Sequence, residues 1–253
     1  MTHDITPSRR QLLAGLGGFS LLYGGTAVGR ATFGFEPVEL TSQQTHQVDG
    51  GLDLRVGWRE TYNGAVRAET TETTGDATDG PVVALDNALP GDHGSLTVLA
   101  ELVGDTARTA RLSLALDLTD TAENGRTEPE VTAGDDTPDD GELAESIDVS
   151  LRYDTGILGV DAAGGQNGIH DLTEPLVAPD AEGTLAEVAA ALADGVALAP
   201  DAGDGQPCLE AGTTIPLTMT WAIDEDVGNV VQGDSATFSL DVFAEECLAE
   251  DNA

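Results

Sequence analysis

The sequence predicts an all-β fold, an antiparallel β-sandwich interrupted by one short amphipathic helix. Three observations predict it: six runs in which apolar residues alternate with polar or small ones, glycine-bearing acidic stretches between those runs, and one helix-capping signature. A period of two sends alternate side chains to opposite faces of a strand, so each run has one face to bury and one to wet. Two antiparallel sheets packed face to face cover such runs economically.

The first run is Leu52, Leu54, Val56 and Trp58, alternating with Asp53, Arg55 and Gly57. Leu96, Val98, Ala100 and Leu102 form the second, and Leu112, Leu114, Leu116 and Leu118 the third. Ile147, Val149, Leu151 and Tyr153 give the fourth. Ile215, Leu217, Met219, Trp221 and Ile223 give the fifth, and Phe238, Leu240, Val242 and Ala244 the sixth. Thr184 followed three residues later by Glu187 is a capping box. Leu185, Val188, Ala189 and Leu192 then recur at helical spacing before Gly195, which predicts a helix lying across an open end of the sandwich. Residues 69–80, 120–142 and 154–171 read as solvated loops.

Charge and the N-terminus set the environment. The 253-residue chain has a formal charge of −36, and every basic residue is an arginine. Ser8, Arg9 and Arg10 precede an apolar run over 12–28 that five glycines dilute, which reads as a twin-arginine-like export signal. Cleavage follows Ala31 or falls near Ala27-Val28-Gly29. The expected plan is a signal peptide over 1–31, an N-terminal extension over 32–50, a single sandwich domain over 51–248 and a disordered tail over 249–253.

The mature chain would carry 45 acids against 7 arginines. Such self-repulsion destabilises a compact state in dilute buffer, and molar salt, with a Debye length of roughly 3 Å, removes most of it. Nucleic acid and anionic membrane surfaces are poor partners for this charge. The expected localisation is extracellular or at the cell surface, with no stable membrane anchor and with signal peptidase and the export machinery as transient partners. Cys208 and Cys247 are an even pair in an oxidising compartment, so one disulfide is expected, with two separate buried thiols as the alternative.

The residues that would mark an enzyme are missing from the sequence pattern. No HExxH, GxSxG or GxxxxGK stretch occurs, and carboxylate pairs carry little information when acids are this common. The chain is therefore read as a non-enzyme with no cofactor. Calcium is the ion that acidic, oxygen-rich loops suit best. Its candidates are Asp154, Asp161, Asn167 and Asp171, and a second set is Asp120, Glu123 and Asn124 ahead of Gly125.

A family resemblance rests on an ordered series of short matches. Ala31-Thr32-Phe33, Gly51-Leu52-Asp53-Leu54 and Leu89-Pro90-Gly91-Asp92 resemble the secreted TasA and camelysin family, whose members carry SipW-dependent-type signals. Glu123-Asn124-Gly125, Glu128-Pro129-Glu130, Gly141-Glu142-Leu143, Tyr153-Asp154, Asp226-Val227-Gly228-Asn229, Gln232-Gly233-Asp234-Ser235 and Phe243-Ala244-Glu245-Glu246-Cys247 are similar to its haloarchaeal branch. The resemblance implies a jelly-roll sandwich that self-associates, alone or with related secreted subunits, into extracellular or biofilm-matrix fibres. It also implies that an N-terminal segment, here 32–47, is donated as a strand to a neighbour, with Phe33, Phe35, Val38 and Leu40 as anchors. The same segment read without the resemblance is an ordinary first strand. A monomeric adhesion or ligand-binding sandwich is the alternative function. A camelysin-like protease has no zinc-binding motif to support it here.

Overall fold

The computed structural model describes residues 38–48, 51–67, 81–105, 107–137, 141–157, 165–171, 173–199 and 208–247. All of them fall in one compact unit, Gly34–Ala253. Ser8, Arg9, Arg10, Phe33, Phe35 and Asp161, the 69–80 loop and the 249–253 tail lie outside the described residues.

Among the described residues twelve strands build two antiparallel sheets. The first sheet runs in the order β1 (Ser42–Val48), β2 (Leu52–Tyr62), β5 (His93–Gly104), β11 (Thr214–Ile223), β7 (Ile147–Tyr153) and β8 (Glu182–Thr184), and β3 (Ala65–Arg67) also pairs with β2. The second runs β10 (Leu209–Glu210), β6 (Thr109–Ala122), β12 (Ser235–Glu246) and β4 (Val82–Asp86), with β9 (Val196–Ala197) also on β6. From β4 to β7 consecutive strands change sheet at every step, and β11 and β12 do so again, which gives the jelly-roll-like winding.

All six alternating runs are strands, and their apolar residues meet in one core between the sheets. Leu52, Leu54, Val56, Leu96, Val98 and Leu102 face Leu112, Leu114, Leu116, Phe238, Leu240 and Val242. The inward row of β2 ends in an acid, Glu60, which is buried and paired with Arg67 at 3.3 Å. Close backbone packing requires a glycine on β5: a Cβ at Gly94 would stand 2.3 Å from the Thr61 carbonyl and 2.6 Å from the Trp221 ring.

Six strands lie outside those runs. β1 is Ser-Gln-Gln-Thr-His-Gln-Val, and β3, β4, β8, β9 and β10 are short. The turn between β2 and β3 is Asn63-Gly64, with φ of 48° and 77°, the left-handed pair that a tight hairpin needs.

The expectation of a single inserted helix is corrected. Among the described residues two further short α-helices occur: α1 (Glu128–Ala133) folds inside the stretch over 120–142 expected to be a loop, α2 (Leu143–Ser146) follows directly after that stretch, and the expected helix is α3 (Leu185–Leu192). In α3 the Thr184 hydroxyl accepts from the Glu187 N–H at 3.2 Å, and the Glu187 carboxylate accepts from the Thr184 N–H at 3.1 Å. Leu185, Val188, Ala189 and Leu192 are buried. The helix packs on β6 of one sheet and on β7 and β8 of the other, so it closes a lateral gap between sheet edges, not an end.

Among the described residues seven acids are buried, Glu60, Glu130, Asp135, Asp154, Glu174, Asp234 and Asp241, and repulsion among the exposed ones predicts salt dependence. The melting temperature of the protein is expected to rise as NaCl goes from about 0.1 M to about 2 M, because screening shortens the reach of each carboxylate to a few ångströms. Thermal melts followed by circular dichroism check this, and a melting temperature indifferent to salt would show that the surface charge does not govern stability.

Candidate functional site

The first candidate is the sheet edge where the donor segment was expected. β1 is the outer strand of the first sheet and pairs with β2 from Ser42↔Trp58 to Val48↔Leu52 without a slip. Main-chain bonds continue outward, Thr41 N–H to the Trp58 carbonyl and Val38 N–H to the Gln166 carbonyl, each at 2.8 Å. None of the side chains from Val38 to Val48 is fully buried. Of the two described anchors, Val38 is half-buried. Leu40 is 36% exposed, and its Cδ1 lies 2.5 Å from where a Cβ on Gly57 would sit. The strand is bound along its whole length by main-chain pairing, with alternate side chains half-buried and Val48 packed against the core.

The second candidate is the loop expected to hold calcium. Asp154 is fully buried, and its oxygens are already engaged: Oδ1 accepts from Asn167 N–H at 3.3 Å, and Oδ2 from Gly168 N–H and the Thr218 hydroxyl, both at 2.8 Å. Asn167 Oδ1 accepts from Ile169 N–H at 2.7 Å. Glu174, which sequence reasoning missed, completes the lock by accepting from Gly156 N–H and Asp171 N–H, both at 2.9 Å. Burial pushes Glu174 above its usual range against those two bonds, and the charges of Asp154 and Asp171 add to the push. Asp154, Asn167 and Asp171 are therefore drawn together around a folded loop through main-chain donors.

A third constellation had only one of its members in view from the sequence. Glu123 leaves the end of β6, Glu130 sits on α1 and Asp234 lies in the turn before β12; one carboxylate oxygen from each lies within 4.8 Å of the others. Among the described residues this is the group of acids that converges so closely. Glu130 and Asp234 are 0% exposed, and Asp135, at 7%, is beside them.

Local hydrogen bonds fix these acids. Glu130 Oε2 accepts from the Thr127 N–H as half of a capping box. Asp234 Oδ2 accepts from the Leu143 N–H at 3.2 Å. Asn124 Nδ2 donates to the Gly233 carbonyl at 2.9 Å and to Ser235 Oγ at 3.0 Å, which ties the strand exit to the turn holding Asp234. Asp120, by contrast, pairs with Thr237 within the sheet. Burial pushes Glu123 up to about 7, helped by its hydrogen bond to Asp234 and by the charges of Asp234, Glu130 and Asp135. Burial likewise raises Asp234, with Glu142 and Glu130 adding to it. Asp135 moves the other way, because the N–H and hydroxyl of Thr137 both donate to its Oδ1 at 2.8 Å.

Cys208 and Cys247 form a disulfide with their Cα atoms 6.1 Å apart. Among the described residues no helix is long and apolar enough to cross a membrane. Comparison with family models, with curated proteins and with solved structures finds no match in any of the three. The protein is thus defined by its class, a disulfide-bonded antiparallel β-sandwich with an acidic helical insertion.

Proposed function

We propose that this chain is a secreted, non-enzymatic structural subunit of cell-surface or matrix fibres, of the TasA-like kind, in which the segment ahead of residue 50 is exchanged between neighbours. The observation that carries the reading is β1: an edge strand, paired over its whole length, with no side chain fully buried. An identical segment from a second molecule would remake the same main-chain bonds on β2 with no loss from the core. Exchange of that kind is head-to-tail, leaves each new edge ready for the next subunit and grows an open filament. The resemblance described above points the same way, and the disulfide suits an oxidising exterior.

The test is negative-stain electron microscopy of the purified mature chain in molar salt, beside a variant lacking 32–48. Filaments are expected from the mature chain. The shortened variant is expected to give folded monomers with an unchanged far-ultraviolet spectrum. Monomers from the mature chain in every condition, or filaments that survive the deletion, would overturn the reading. A second reading, a monomeric adhesion or ligand-binding sandwich, is favoured by the unbroken pairing of β1 with β2 inside one chain. It predicts that the shortened variant unfolds.

A further inference from the structure

The three converging acids carry an inference that is independent of the fibre reading. Glu130 and Asp234 are completely buried, and each keeps one oxygen without any hydrogen-bond partner: Glu130 Oε1 and Asp234 Oδ1. Both oxygens of Glu123 are equally out of solvent and have no donor beyond the proton shared with the Asp234 carboxylate, and Asp135 Oδ2 and Glu142 Oε2 lack a partner as well. Buried carboxylates without donors are costly, and a set of them at one point attracts positive charge. The arginine of this segment, Arg126, turns its Nη1 to the Asp135 carbonyl at 3.1 Å. Gly233, at φ 110°, comes so near that a Cβ there would stand 3.2 Å from Glu130 Oε1, so the backbone leaves that oxygen its space.

We propose that Glu123, Glu130 and Asp234 bind one calcium ion, with Asp135, Glu142 and the Thr127 hydroxyl within the surrounding shell. The donor set is all oxygen and mostly carboxylate, which selects a hard cation over zinc or copper. Calcium takes six to eight oxygens at about 2.3–2.6 Å, and ligand oxygens within 4.8 Å of one another fit across such a shell. Magnesium holds a stricter octahedron and retains most of its water, so a protein cage with this many carboxylates suits it less. The ion would join the exit of β6, helix α1 and the turn before β12. The acidic insertion would then be fastened to the sandwich by a cation where its own charges push it away.

The test uses the mature protein, stripped with EDTA and held in about 2 M NaCl, where diffuse attraction to the acidic surface is screened out. Calorimetric titration with calcium is expected to show one site. The melting temperature is expected to rise by about 5–10 °C once free calcium is a hundredfold above its dissociation constant. Glu130→Gln and Asp234→Asn each keep an oxygen for the backbone donor. Both are expected to lose the binding and the rise, yet to melt no lower than the metal-free parent, whereas Asp148→Asn on the exposed face of β7 retains both. Calcium-slowed hydrogen exchange across 123–142 in the unaltered protein locates the site even where a variant folds poorly. The absence of a calorimetric site, a response that persists in both variants, or protection that spares both 123–142 and the turn around Asp234 would overturn the proposal. Equal binding of magnesium would overturn the assignment to calcium.

Discussion

Breaking the Cys208–Cys247 bond is expected to destabilise the sandwich by about 4 kcal/mol, the chain-entropy value for opening a loop of this length. The two cysteines are 39 residues apart in sequence. Cys208 leads into β10, a strand of two residues that pairs Leu209 with Ala110 and Glu210 with Thr109. Cys247 directly follows β12, whose last pair is Glu246 with Ala110, and its N–H donates to the Thr109 carbonyl at 2.9 Å. The bond therefore ties together the two strands that flank the start of β6. A two-residue strand has little else to hold it in register. In a domain of this size each kilocalorie per mole moves the melting temperature by about 2–4 °C, so a fall of about 8–16 °C is expected. Thermal melts of the oxidised protein and of the Cys208→Ser/Cys247→Ser double variant, both in molar salt, measure it. A difference below about 3 °C would show that the β10–β12 end is held by its hydrogen bonds alone.

The strands that the sequence makes visible are those with one dry face. Leu112, Leu114 and Leu116 announce β6 because the inward row must be apolar and the outward row need not be. β1 announces nothing, since its inward row, Ser42, Gln44, His46 and Val48, is only half-buried and mostly polar. The Asn63-Gly64 dipeptide is a readable hairpin signal that only becomes decisive once β3, three exposed residues long, is known to follow. Helix α1 shows a different limit. Thr127 and Glu130 form the same signature as Thr184 and Glu187, but behind Thr184 come four buried apolar residues and behind Thr127 comes an exposed Val131. A capping box without an apolar stripe has no core to dock on, so the sequence alone ranks it as loop.

The acid site lies further from reach for a related reason. In a chain with this many carboxylates, Glu130 and Asp234 look like their solvated neighbours. What distinguishes them is burial, and burial comes from tertiary convergence of β6, α1 and the turn before β12. Asp154 was legible as a loop acid, but its role was not: Gly168, Asn167 and Thr218 occupy its oxygens from two other parts of the chain.

Phe238→Ala is expected to destabilise the protein by about 3–5 kcal/mol, the usual range for emptying a large aromatic site in a packed core. Phe238 is 1% exposed and among the largest fully buried side chains. It sits on β12, paired with Leu118 of β6 on one side and Val83 of β4 on the other, immediately after a register shift at Thr237. The irregularity at that point leaves the surrounding strands little scope to close over a void. By the same size scaling, the melting temperature should fall by about 6–20 °C. Deleting 32–48 removes seven strand residues but no fully buried side chain, so it is expected to lower the melting temperature much less than this one substitution. The comparison of the two variants in one set of melts therefore bears on function as well as on packing. Should the deletion cost as much as Phe238→Ala, β1 would be an integral part of the fold, and a segment so bound could not be lent to a neighbour.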